Sequence, residues 1–166
     1  MILKMILTLT FIFLSSGVYA EPKNTYKVQV VFTSQCPCVQ RMMKHIKSLV
    51  EENHNQGFVF EFYDVGSKDQ KTSDAYARLQ KFPTSITNDH DLKIAKKLGA
   101  EISPTAFVWD EKGKLQYKGA IIIENFEDSA QSKKPLEEAL QSLKKGQPVK
   151  NALTTPEGCF IVSDIQ

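Results

Sequence analysis

The sequence predicts an α/β domain, a central mixed β-sheet flanked by helices, and three observations carry that prediction. A strand-helix-strand unit spans residues 26–65, a hairpin spans 105–122, and a helix with marked ends lies at 135–146. Each unit buries one apolar face and needs the others to cover it, which leads to a layered sheet-and-helix architecture.

In chain order, "TYKVQVVFTS" (25–34) is β-branched, aromatic and nearly continuous in apolar character through Val30, Val31 and Phe32, as a strand covered on both faces should be. After Cys36-Pro37-Cys38, apolar residues fall at Val39, Met42, Met43, Ile46, Leu49 and Val50, a 3/4 spacing that predicts one stripe of a helix running to Asn53. Met42 and Met43 lie on that stripe and read as core filler. Gly57 ends the crossover, and "FVFEFYDV" (58–65) alternates as a second strand, parallel to the first. "SDAYARLQKF" (73–82) reads as a short helix stopped by Pro83, and "DLKIAKKLGA" (91–100) as another, started by Asp91 and closed near Gly99. "TAFVWD", the turn "DEKGK" and "LQYKGAII" then form a hairpin, with Asp and Gly supplying the turn conformations. "PLEEALQSLKKG" places Pro135 in its first turn, acids early, lysines late and Gly146 as the stop. A tail, 147–166, carries Cys159 in the turn-like "PEGC".

Residues 1–20, "MILKMILTLTFIFLSSGVYA", have the three-part layout of a signal peptide: a lysine, a short apolar run and a small-residue end at Ala20. The run is short beside the roughly 20 residues a bilayer span needs, so any membrane contact is confined to an uncleaved form of this segment. Residues 21–166 suit one compact domain, expected as a monomer in an exported, periplasmic or extracytoplasmic setting. With 21 basic and 19 acidic residues and no basic block interleaved with aromatics, an electrostatic grip on nucleic acid has no support. Export places Cys36, Cys38 and Cys159 where disulfides form and persist, and an odd count leaves one thiol over.

"SQCPCV" (34–39) puts two thiols at a strand-to-helix junction. A thiolate at a helix start meets unpaired N–H groups and the positive end of the macrodipole, which favour the anion. Cys36 holds that place, and Pro37 is tolerated there because its missing N–H would go unpaired anyway. Residues two apart on a helix point about 200° apart, so Cys38 does not share a face with Cys36; Val39 does. A Cys36–Cys38 bridge needs non-helical backbone, and Cys159 is the competing partner if the tail folds back over the helix start; the residues leave both pairings open. The plain alternative, that the thiols pack as small hydrophobes, suits a lone cysteine better than two at a helix start.

Four stretches, "VVFTSQCPCVQRM", "LGAEISPTAFVWDEKGKLQYKGAI", "PLEEALQSLKKGQPV" and "TTPEGCFI", together resemble exported thioredoxin-like proteins of the redoxin type, related to peroxiredoxins and to Sco-type copper chaperones. The resemblance implies a thioredoxin-like fold, Cys36 as the redox or ligand cysteine, and Pro104 in the cis form beside the site, with the Ser103 backbone offered to an extended substrate segment. The chain departs from the relatives' patterns: Val39 stands where thioredoxins place their second cysteine, and Gln29 where peroxiredoxins have proline. Arg41 and Arg78 are the only arginines available to a peroxidatic thiolate.

The expected function is thiol-disulfide exchange with protein thiols or disulfides, or with a small-molecule oxidant. Cys36 is the expected nucleophile and Cys38 or Cys159 the resolving thiol, with Ser103 and Pro104 shaping the substrate site and no bound cofactor required. The alternatives are a thiol peroxidase passing through a Cys36 sulfenic acid, a copper-binding protein using Cys36, Cys38 and His90, and a binding domain with structural cysteines.

Overall fold

The computed structural model describes residues 25–125 and 128–161, so the signal-peptide reading of residues 1–20 lies outside the described residues. Strand β1 (Tyr26–Phe32), helix α1 (Pro37–Asn53) and strand β2 (Phe58–Asp64) form the crossover unit. The two strands are parallel, from Tyr26 opposite Phe58 to Phe32 opposite Asp64. Strand β3 (Ile86–Asn88) extends the sheet parallel to β2. Three residues are too few to establish a period, so the sequence pattern does not mark this strand.

The hairpin strands β5 (Thr105–Trp109) and β6 (Leu115–Gly119) complete the mixed sheet, with β5 antiparallel to β1 and the order β3-β2-β1-β5-β6. Asp110 shapes the hairpin turn, its carboxylate accepting from the N–H groups of Lys112 and Lys114 while Gly113 takes the left-handed conformation. A central β1 explains the continuous apolar run, since Val28 and Val30 face one cover and Val31 the other.

On the first face, Val28, Val30 and Phe32 pack against the α1 stripe and against helix α4 (Pro135–Lys144). Met42 and Met43 are buried there, as their spacing predicts. Phe32 and Phe58 are each almost wholly buried, and each such side chain contributes about 1.5–3 kcal/mol. On the second face, Val31 and Phe107 meet Leu92, Ala95 and Ala100 around helix α3 (Lys93–Leu98).

Two helix starts differ from the sequence reading. Helix α2 (Gln70–Leu79) begins earlier, because Asp69 caps it by accepting the N–H of Thr72 at 2.8 Å. At α3 the cap is Asp89, not Asp91: its carboxylate accepts from Ile94 at 3.0 Å and Ala95 at 2.8 Å, while Asp91 pairs with Lys93. Leu92 takes a left-handed backbone between them, φ 58°, so the chain enters the helix two residues late.

Beyond α4 the tail runs beside β6. Lys118 N–H donates to Ala152 at 2.8 Å, Thr154 N–H donates to Lys118 at 3.0 Å, and Thr154 Oγ1 accepts from Ala120 N–H at 3.0 Å. A Cβ on Gly119 would stand 2.1 Å from Thr154 Oγ1, so only glycine lets the tail come this close. The tail then crosses to strand β4 (Ile102–Ser103) and pairs with it antiparallel as β7 (Cys159–Phe160). Among the described residues, no helix is long and apolar enough to cross a membrane.

Candidate functional site

Cys36 stands where β1 hands over to α1. Its backbone is extended, φ −75° and ψ 123°, and its carbonyl accepts the N–H of Gln40, so it caps the helix with Pro37 as the first helical residue. The loop ahead of it is tied at two points. Thr33 N–H donates to Ser103 Oγ at 2.8 Å, and Ser34 N–H to Asp64 Oδ1 at 3.0 Å. Asp64 is fully buried and also accepts from Gly66 N–H and the hydroxyls of Ser67 and Ser73. A buried carboxylate is tolerated when its lone pairs are filled this way, and this one fixes the turn that aims Cys36.

The disulfide joins Cys36 to Cys159, 123 residues away, and Cys38 is the free thiol. Strand β7 lays Cys159 opposite Ser103 beside the helix start, while Cys38 lies inside the first helical turn, two residues from Cys36, a spacing that a disulfide bridges only across non-helical backbone. Cys36 is 1% exposed; Cys38 and Cys159 are half-buried at the surface above it. The three sulfurs lie within 4.8 Å of one another.

Ser103 links every part of the centre. Its hydroxyl holds the Thr33 loop, its carbonyl accepts the Cys38 S–H at 3.7 Å, and its backbone pairs with Cys159. The peptide bond to Pro104 is cis, as the resemblance implies. Gly158 passes so close that an added Cβ would stand 1.9 Å from the Ser103 oxygen and 3.2 Å from Cys38 Sγ. A cleft of about 380 Å³ opens over the thiols, lined by Cys38, Cys159, Gly158, Arg41 and Glu124 among others. Arg41 donates through Nε and Nη2 to Glu124 Oε2, at 3.3 and 3.1 Å.

The structure thus brings Cys36, Cys38, Cys159, Ser103 and Pro104 together. It does not bring His90 to them: that residue is exposed beside Asp89 and Asp91 in another cleft, and the cluster of ligand atoms at Cys36 and Cys38 is completed by Cys159. Sequence reasoning missed Asp64 and Glu124. A carboxylate ending an apolar strand was the available signal for Asp64; nothing in the local pattern distinguishes Glu124 from a solvated loop acid.

A parallel β-α-β unit, a cis-proline leading into a hairpin, and a cysteine capping the first helix define a thioredoxin-like fold. The chain belongs to the family described as Domain of unknown function (DUF6436), matched over residues 14–162. Solved structures share the fold. An uncharacterized conserved protein from Geobacillus kaustophilus is 19% identical with a TM-score of 0.75, over 86% of this chain and 79% of that one. A hypothetical protein from Sinorhizobium meliloti 1021 is 19% identical with a TM-score of 0.69, over 82% and 78%. A thiol-disulfide oxidoreductase from Bacteroides fragilis NCTC 9343 is 16% identical with a TM-score of 0.50, over 57% and 71%. No curated protein matches the sequence.

Proposed function

We propose that this protein is an exported thiol-disulfide oxidoreductase whose redox couple is Cys36–Cys159, with Cys38 as a third thiol within reach. The observation that carries this reading is the bond itself, between the cap of α1 and a tail strand paired with the residue before a cis-proline. The likeness of the fold to a thiol-disulfide oxidoreductase supports it. A durable disulfide suits the oxidising side of a membrane, which supports export.

The chemistry follows from access. The thiolate of a dithiol partner attacks Cys159 Sγ, which borders the cleft, rather than buried Cys36. The Cys36–Cys159 bond breaks, and its electron pair leaves on Cys36, where the helix start favours the thiolate. The partner is then joined to Cys159, and its second thiol attacks its own bridged sulfur. The partner ends as a disulfide and the chain gains two electrons and two protons. Run in reverse, the Cys159 thiolate attacks a partner disulfide and Cys36 resolves the mixed disulfide, the opposite of the roles expected from the sequence, because Cys36 is 1% exposed. Cys38, within 4.8 Å of both sulfurs, competes for the same mixed disulfide. The exchange needs no bound cofactor.

The test is reduction of insulin disulfides by the pre-reduced protein, with each cysteine changed to serine in turn. Cys36→Ser and Cys159→Ser should each abolish turnover, and Cys38→Ser should retain it. Full activity in both of the first two variants contradicts the assignment.

A further inference from the structure

We infer that, once the disulfide is reduced, Cys36, Cys38 and Cys159 form a three-thiolate site for a single Cu(I) ion. The site uses the same sulfurs as the exchange reaction but not their turnover. Three thiolates around one ion, at metal–sulfur bonds of about 2.3 Å, stand about 4 Å apart. The three Sγ atoms already lie within 4.8 Å of one another, so small side-chain adjustments suffice.

The donor set selects the ion. All three ligands are soft thiolates, and among the described residues no histidine or carboxylate joins the cluster. Zinc in a structural site is held by four protein ligands, so a site of three sulfurs favours Cu(I), the soft ion that takes low coordination. The surroundings suit the charge. Three thiolates and one Cu(I) sum to −2, and they sit at the positive end of a 17-residue helix, with Arg41 lining the same cleft.

The fold keeps the third ligand at hand without the covalent bond. Thr154 is held by Lys118, Ala120 and Tyr117, five residues before Cys159, and Ile161 N–H donates to Glu101 at 2.8 Å just beyond it. The tail is therefore fastened on both sides of the cysteine, and opening the disulfide leaves its thiol over the helix start.

The balance is simple. An external dithiol reduces the Cys36–Cys159 bond and becomes a disulfide itself. The three thiols then bind Cu(I) with loss of three protons, so affinity rises with pH.

The experiment is anaerobic titration of the reduced protein with Cu(I) against a chromophoric Cu(I) chelator. One ion per chain is expected, with three sulfurs in the X-ray absorption spectrum. Cys159→Ser and Cys38→Ser should each weaken binding about a hundred-fold or more, a ligand counting for at least as much as the partners behind it. His90→Ala should leave affinity unchanged, and the oxidised protein should not compete with the chelator. Parent-like affinity in Cys159→Ser, a two-sulfur spectrum, or loss of binding in His90→Ala overturns the site, as does no binding at all. Circular dichroism of each serine variant separates loss of a ligand from loss of fold. Because no turnover is measured, a protein that binds Cu(I) but fails to reduce insulin refutes the exchange reading alone, and the converse refutes this one alone.

Discussion

The two sulfurs of the disulfide are mounted on regions of opposite construction. Cys36 caps a 17-residue helix whose stripe is bedded in the main core, and a fully buried carboxylate fixes the loop ahead of it. Cys159 rides on a strand of two residues whose neighbour Phe160 is 76% exposed. One sulfur is fixed by packing and the other by a few backbone hydrogen bonds. Opening a disulfide between such regions should cost little structure on the fixed side. The tail also occupies the Ser103 edge that the resemblance assigned to an extended substrate, so in the oxidised state the chain fills that place itself.

Reducing the disulfide should lower the unfolding free energy by about 4–5 kcal/mol, the chain-entropy value for a closed loop of this length, where the bonded residues are 123 apart. Denaturant titration with and without reductant measures it, and hydrogen exchange should accelerate at 159–161 while α1 stays protected. Exchange that accelerates equally in α1 breaks the contrast between the two regions. On the fixed side, Asp64→Ala strands the N–H of Ser34 and the hydroxyls of Ser67 and Ser73; it should cost about 3 kcal/mol. Asp64→Asn, which keeps one acceptor oxygen, should cost less in the same titration. On the tail side, Thr154→Val leaves the N–H of Ala120 without its partner and should cost about 1–2 kcal/mol, read as faster tail exchange in the reduced protein.

The smallest effect depends on pH and again concerns the fixed side. Burial of His45, helped by the charge of Lys134 and outweighing the carboxylate of Glu137, lowers its pKa below the ordinary 6.5. The folded state therefore takes this proton less readily than the unfolded state. Stability from this group is fully present above pH 6.5 and declines as pH falls from there toward the lowered folded value. His45→Gln should flatten the stability profile in that window, and an unchanged slope removes His45 as its source.

Much of the fold was legible because its signals are local and periodic. The α1 stripe from Val39 to Val50, the buried run of β1 and the Asp110–Gly113 turn each announce themselves within one element. Strands β3, β4 and β7 were not legible, since two or three residues carry no period and exist only through their partners. The site divides in the same way. A helix-start cysteine can be read from its neighbours, and helical spacing sets a condition on a Cys36–Cys38 bridge without choosing between Cys38 and Cys159. The choice of Cys159 depended on a tail path set by Thr154, Gly119 and Gly158, three close approaches between distant segments.

The cysteine pairing can be read by mass-spectrometric mapping of the oxidised protein, alkylated before any reduction. A peptide pair linking Cys36 to Cys159 is expected, with Cys38 alone alkylated, and alkylation of all three cysteines after reductant. A Cys36–Cys38 link, with Cys159 alkylated in the unreduced protein, would contradict this pairing.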